Sequence, residues 1–146
     1  MPTAPKLIAC ISIGLIALIM AYVYQLDYPN TTFTTDYYKL ATVTGMFVGW
    51  YSLGQKAYLG GLQSIVAGVR AVVILAVVAA IVFGLVFVWT GMGKHAFNKP
   101  MQVPVTWILK SIAYLSSSLR VEIWGPAVLM GAVAGRLTGI ANRYWR

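Results

Sequence analysis

The chain carries little with which to do chemistry. Its 146 residues include one histidine, one cysteine and three carboxylates, namely His95, Cys10, Asp27, Asp36 and Glu122. A single cysteine excludes an internal disulfide and any CxxC metal or redox motif. A lone histidine, with no second His or Cys at ligand spacing, offers no metal centre. Cys10 lies among apolar residues, where a thiol ionises poorly, and it reads as a small packing residue. General acid or base work needs positioned His or carboxylate groups, and the four candidates fall outside the long apolar runs. No catalytic residue and no cofactor is expected, and the inventory points away from an enzyme.

Charge is scarce as well. Only 10% of residues are charged, against about 25% in a soluble domain. By contrast 60% are hydrophobic, and the mean hydropathy is +0.77. Such a chain cannot cover itself with polar side chains, which excludes a soluble globular enzyme and a disordered tail alike. Eleven Lys and Arg against three acids give a net charge of +8. The bases sit at the ends of apolar runs, a pattern of lipid headgroup contact and topology signals, not of nucleic-acid binding.

A helix crossing the hydrocarbon core needs about 20 mostly apolar residues. Leu7 to Leu26 supplies such a run without a charge. Bulky Tyr22, Tyr24 and Gln25 stand where a signal peptide would need small residues, so the run is expected to be retained. Leu7-Ile8-Ala9-Cys10 matches a lipoprotein box only by chance, lacking an apolar segment before it. Leu40 to Gln55, bracketed by Lys39 and Lys56, is a short second span whose ends Tyr37, Tyr38, Trp50, Tyr51 and Tyr58 can anchor in the interface. Ala71 to Gly93 is uncharged and forms the heart of a third span, set at about 65–90. Trp124 to Trp145 forms a fourth. Open strands are excluded in lipid, and the chain has too few alternating segments for a barrel.

Between the third and fourth spans lie Lys94, His95, Lys99, Pro100 and Pro104. Beyond them Val105, Ile108, Ile112, Leu115 and Leu119 recur at alternating spacings of three and four, with Lys110 and serines elsewhere on the wheel. Lys110 at the centre of a crossing would cost about 3 kcal/mol. An interfacial amphipathic helix over 104–119 is expected, with its serines and Lys110 hydrated; a helix packed across the end of the bundle is the alternative. The expected fold is thus all-α: a single membrane-embedded helical domain over 1–146, with transmembrane helices at about 7–26, 40–55, 65–90 and 124–145. An even span count puts both termini on one side. The bases flanking the spans favour the cytoplasm by a narrow count.

Small residues form the clearest internal pattern. Ala127, Gly131, Gly135 and Gly139 repeat every four residues, as do Ala41, Gly45 and Gly49, while Cys10, Gly14, Ala17 and Ala21 line one side of the first span. Stripes of this kind let backbones approach closely, either within the bundle or against another membrane protein. Two arginines, Arg70 and Arg136, lie inside the third and fourth spans. They can snorkel to lipid phosphate, or attract an anion into a pathway. Asn30-Thr31-Thr32 fits a glycosylation sequon, with meaning only in a eukaryotic source.

With these landmarks in place, the chain resembles the TrgA family, small alphaproteobacterial inner-membrane proteins named for a tellurite-resistance locus. The resemblance rests on Met1-Pro2-Thr3-Ala4 with Lys6-Leu7, on Gly45, Gly49, Trp50 and Gly54 in a GxxxGWxxxG arrangement, on Pro100-Met101, and on Gly135 with Arg143-Tyr144-Trp145-Arg146. It implies an inner-membrane location and an association with tellurite resistance, and carries no catalytic mechanism over to named residues. Two functions remain in competition: an accessory or assembly component of the bilayer, working with itself or a larger membrane complex, and a small oligomeric anion channel or transporter using Arg70 and Arg136.

Overall fold

The computed structural model describes residues 4–27, 35–56, 62–93, 102–119 and 121–144. These residues are almost entirely helical: α1 (Ala4–Asp27), α2 (Thr35–Val48), α3 (Leu62–Gly93), α4 (Gln102–Ser118) and α5 (Val121–Tyr144). α2 runs without a break into a π turn (Gly49–Leu53) and a 3-10 turn (Gly54–Lys56). Three helical stretches, Ala4–Leu26, Leu62–Thr90 and Ile123–Tyr144, are long and apolar enough to cross a membrane.

The molecule is built with its large apolar side chains outward. Phe47 is 71% exposed and Leu129 is 70% exposed, and Leu15, Val66 and Val133 point outward with them. Water does not tolerate an apolar surface on this scale. The interior is instead made of small residues: Ala9, Ala71 and Ala127 are fully or almost fully buried, with Ile13 and Leu53 the bulkiest side chains at the same depth. The buried threonine hydroxyls are satisfied by their own helix, as Thr44 donates to the Leu40 carbonyl at 2.8 Å and Thr138 to the Ala134 carbonyl at 2.8 Å. That local bonding lets these two side chains sit in an apolar medium without an orphaned group.

Two glycine seams join the helices. In the first, α1 and α2 run antiparallel: a Cβ added at Gly45 would fall 2.9 Å from the Ile13 carbonyl oxygen, and one at Gly49 would strike the Ala9 carbonyl. The seam continues into the 3-10 turn, where Gly54 lies against Lys6 at the start of α1. In the second, α3 and α5 run antiparallel, and Gly68 is pressed between Gly131 and Gly135. Ser64 donates a hydrogen bond to the Gly135 carbonyl across this contact. Antiparallel pairing gathers the start of α1, the 3-10 turn, the start of α3 and the end of α5 at one end of the bundle. Tyr24, Tyr37, Phe83 and Trp124 mark the other end.

α4 lies against α3 near this second end, crossing at Gly84. A Cβ there would meet Ser111 and stand 3.2 Å from the Trp107 ring. Trp107 Nε1 donates to the Ile81 carbonyl at 3.2 Å, and Lys110 Nζ stands 4.6 Å from the centre of the Phe87 ring. The structure thereby differs from the expected hydrated serine face. Ser111 and Ser117 turn toward the bundle, Ser117 sharing a hydrogen bond of 3.0 Å with the Tyr24 hydroxyl, while Ile108 and Ile112 are exposed. The reason is the absence of hydrophobic attraction between helices in lipid: small and polar side chains serve as contacts, and the apolar stripe is left for the acyl chains.

A Leu side chain at Gly135 would drive into the Ser64 backbone, and overpacking of this kind costs about 1–3 kcal/mol. Gly135→Leu is therefore expected to lower abundance and thermal stability in detergent, whereas Leu137→Ala, at an exposed position, should be milder. Equal losses from the two changes, measured by the melting temperature of the purified protein, would contradict the seam.

Candidate functional site

The five residues singled out for helix packing are all buried. Gly45 and Gly49 face α1, and Gly131 and Gly135 face α3. Gly139 lines a small recess with Ser64, Ile140, Arg136 and Arg143. Gly45, Gly49, Gly131 and Gly135 shorten the distance between backbones. Gly68 and Ser64 complete the second seam from the α3 side, and neither was singled out from the sequence. Their spacing of four was the available signal.

The two arginines do not share a site. Arg136 lines the recess beside Ser64, together with Arg143 two turns further along α5. Arg70 is exposed on α3 and does not line it. The recess holds about 80 Å³. Arg136 and Arg143 bring two guanidinium groups to the end of the bundle that also carries Lys6 and Lys56. Such a pair offers phosphate or another oxyanion planar, forked hydrogen bonding.

At the opposite end, all five helices enclose a cavity of about 110 Å³. Alanine is the commonest residue in its walls, with Ala17 and Ala21 from α1, Ala41 from α2, Ala76 and Ala80 from α3, and Ala127 from α5, and Met20, Val72, Leu75 and Ile123 stand among them. Tyr24, Tyr37 and Tyr114 close one end, with Ser118 and Trp124. The Tyr37 ring lies 4.4 Å from the Phe83 ring, tilted by 30°, and 5.8 Å from Tyr38 in an edge-on arrangement. Burial, reinforced by the neighbouring Tyr24, pushes the Tyr114 hydroxyl above its ordinary range. It is therefore a neutral phenol at physiological pH, able to donate as well as accept. None of the described lining residues is charged.

Among the described residues the scarce reactive groups stand apart. Asp36 is exposed and pairs with Lys39 at 3.2 Å, and Cys10 is half-buried in α1. Among the described residues no three His, Cys, Asp or Glu side chains come together. His95, the Asn30-Thr31-Thr32 sequon, Pro100-Met101, Arg120 and the closing Trp145-Arg146 lie outside the described residues. The described residues thus present two arginines at one end of the bundle and an apolar cavity with phenol groups at the other.

The inward serine face of α4 makes a direct prediction. In a Cys10→Ser background, Ser111→Cys should resist a membrane-impermeant thiol reagent, since Ser111 Oγ is buried without a hydrogen-bond partner. Ile112→Cys, 58% exposed at Ile112, should react readily with a lipid-soluble maleimide. Rapid labelling of Ser111→Cys from water, matching Lys39→Cys, would show α4 turned the other way. In the comparisons with known proteins, no family model, no curated protein and no solved structure matches the chain.

Proposed function

We propose that this chain is a small integral membrane protein of four spans and one interfacial helix, serving as an accessory or assembly component without catalysis of its own. In this reading α2 together with its π and 3-10 turns is the second span, added to the three long apolar stretches. The unbroken run from 35 to 56 is 22 residues, or roughly 33 Å at helical rise, enough to cross a core of about 30 Å. α4 lies in the interface at the end where α1 and α2 are joined. Both chain termini face the cytoplasm, as the bases flanking the spans suggest; the resemblance to the TrgA family suggests a bacterial inner membrane, and the link to tellurite tolerance is indirect.

The observation that carries this reading is the use of the small-residue seams inside the chain. Gly45 and Gly49 are occupied by α1, and Gly68, Gly131 and Gly135 by one another, so a single copy already satisfies its close contacts. The space left between the helices is lined by alanines and larger apolar side chains, with hydroxyls toward one end. Conduction of an anion calls for polar groups along the whole path, and the described lining carries no charged residue. The recess at Arg136 and Arg143 suits attachment to lipid phosphate at the cytoplasmic surface.

The second reading, an oligomeric anion pore using Arg70 and Arg136, draws on Arg136 in that recess, while Arg70 lies outside it. Reconstitution separates the two. The purified protein in liposomes should show no saturable uptake of tellurite or phosphate, and a mild-detergent pull-down at native expression should recover it with a larger membrane complex. Saturable flux that falls when Arg70 and Arg136 are both replaced by Gln would establish the pore instead.

A further inference from the structure

The cavity among the five helices has features that bundle packing alone does not require. Alanines from four helices line the same volume, together with Met20, Val72, Leu75 and Ile123. The result is an apolar space of about 110 Å³, partly open to the surroundings, with phenol groups at one end. Away from the hydroxyls its apolar walls offer a water no partner, and a buried water needs two to four. Lipid-embedded helices that only packed against one another would gain dispersion contacts by filling it.

The lining restricts what can enter. With no charged residue among the described walls, neither an ion nor a zwitterionic headgroup finds a counter-charge. A cavity of roughly this size admits one six-membered ring. Flat aromatic surfaces stand where a ring would lie: Phe83 stacked on Tyr37, and Trp124 on the wall from α5. Tyr114 presents a hydroxyl that no described hydrogen bond engages, and its neutrality lets it donate to a carbonyl or accept from a hydroxyl. Tyr24 hydrogen-bonds to Ser117, which ties α4 across this end and holds Tyr114 against the cavity.

We propose that this cavity is a binding site for a neutral one-ring amphiphile, a ring bearing carbonyl or hydroxyl oxygens on an apolar tail, which is the chemistry of membrane quinones and quinols. The ring occupies the space between the alanines, its oxygen meets Tyr114, and the tail leaves through the open side toward the acyl chains. The inference concerns binding alone. It rests on the membrane placement above but not on the accessory role, since the site is formed by one copy of the chain.

The full-length protein in phospholipid nanodiscs is titrated with a decyl-tailed benzoquinone while tryptophan fluorescence is followed, Trp124 lying in the cavity wall. Saturable quenching is expected from the wild type. Ala76→Leu, which places three more carbons in the cavity, should weaken binding by about tenfold or more, and Tyr114→Phe by a smaller factor with the ring retained. Ala41→Val provides a second filling change should Ala76→Leu fail to fold. Linear, non-saturating quenching in the wild type would overturn the proposal, because it reports only partition into lipid. So would saturable binding that both filling variants leave unchanged, or equal displacement of the quinone by decanol, which shares the tail but lacks the ring. Since the protein is tested alone, failure here leaves the pull-down and flux results standing on their own.

Discussion

In lipid, one helix gains nothing by burying leucine against another, because the acyl chains are as apolar as the leucine. Helices are held by dispersion contacts and by polar links at short range, both of which demand close approach. The structure depends on this constraint at two places. Along the first seam Gly45 and Gly49 bring α2 onto the α1 backbone; along the second Gly68, Gly131 and Gly135 do the same for α3 and α5. The hydrogen bond from Ser64 to the Gly135 carbonyl is available only because the second seam is so tight.

The other features follow from where those seams lie. Both pairs are antiparallel, so the basic residues of the α1 start, the 3-10 turn and the α5 end gather at one end of the bundle, and Tyr24 and Tyr37 at the other. Toward that other end, alanines of four helices line the cavity. α4 covers this end using its small and polar face, with Ser111 at Gly84 and Ser117 on Tyr24. Thus the bundle combines close packing along the glycine seams with an apolar cavity nearer the tyrosines.

Much of this was legible in the sequence. The uncharged runs locate the long helices to within a few residues, because hydrophobic length is a strict requirement of the bilayer. The stripes at Gly45, Gly49, Gly131 and Gly135 mark the close-approach faces, although their partners were not apparent: Gly68 and Ser64 lie in the first turns of α3, among Val and Ile that dominate the reading. α4 was visible as a helix, yet its polar face was assigned to water, since amphipathic periodicity separates the two faces without saying what each one meets. The cavity could not be read at all. Its alanines come from four segments spread from Ala17 to Ala127, each unremarkable alone, and only the antiparallel pairing brings them to a common level with Tyr24, Tyr37 and Tyr114.

The account stands on the second seam joining two helices of the same chain. Solid-state NMR of protein in lipid bilayers reads this contact directly, through the cross peak between the α-carbons of Gly68 and Gly135, recorded first with every chain isotopically labelled and then with labelled chains diluted in an excess of unlabelled ones. The account predicts a cross peak whose intensity per labelled chain is unchanged by dilution. A cross peak that fades in proportion to dilution would place the contact between copies, and would contradict a bundle held together by its own glycines.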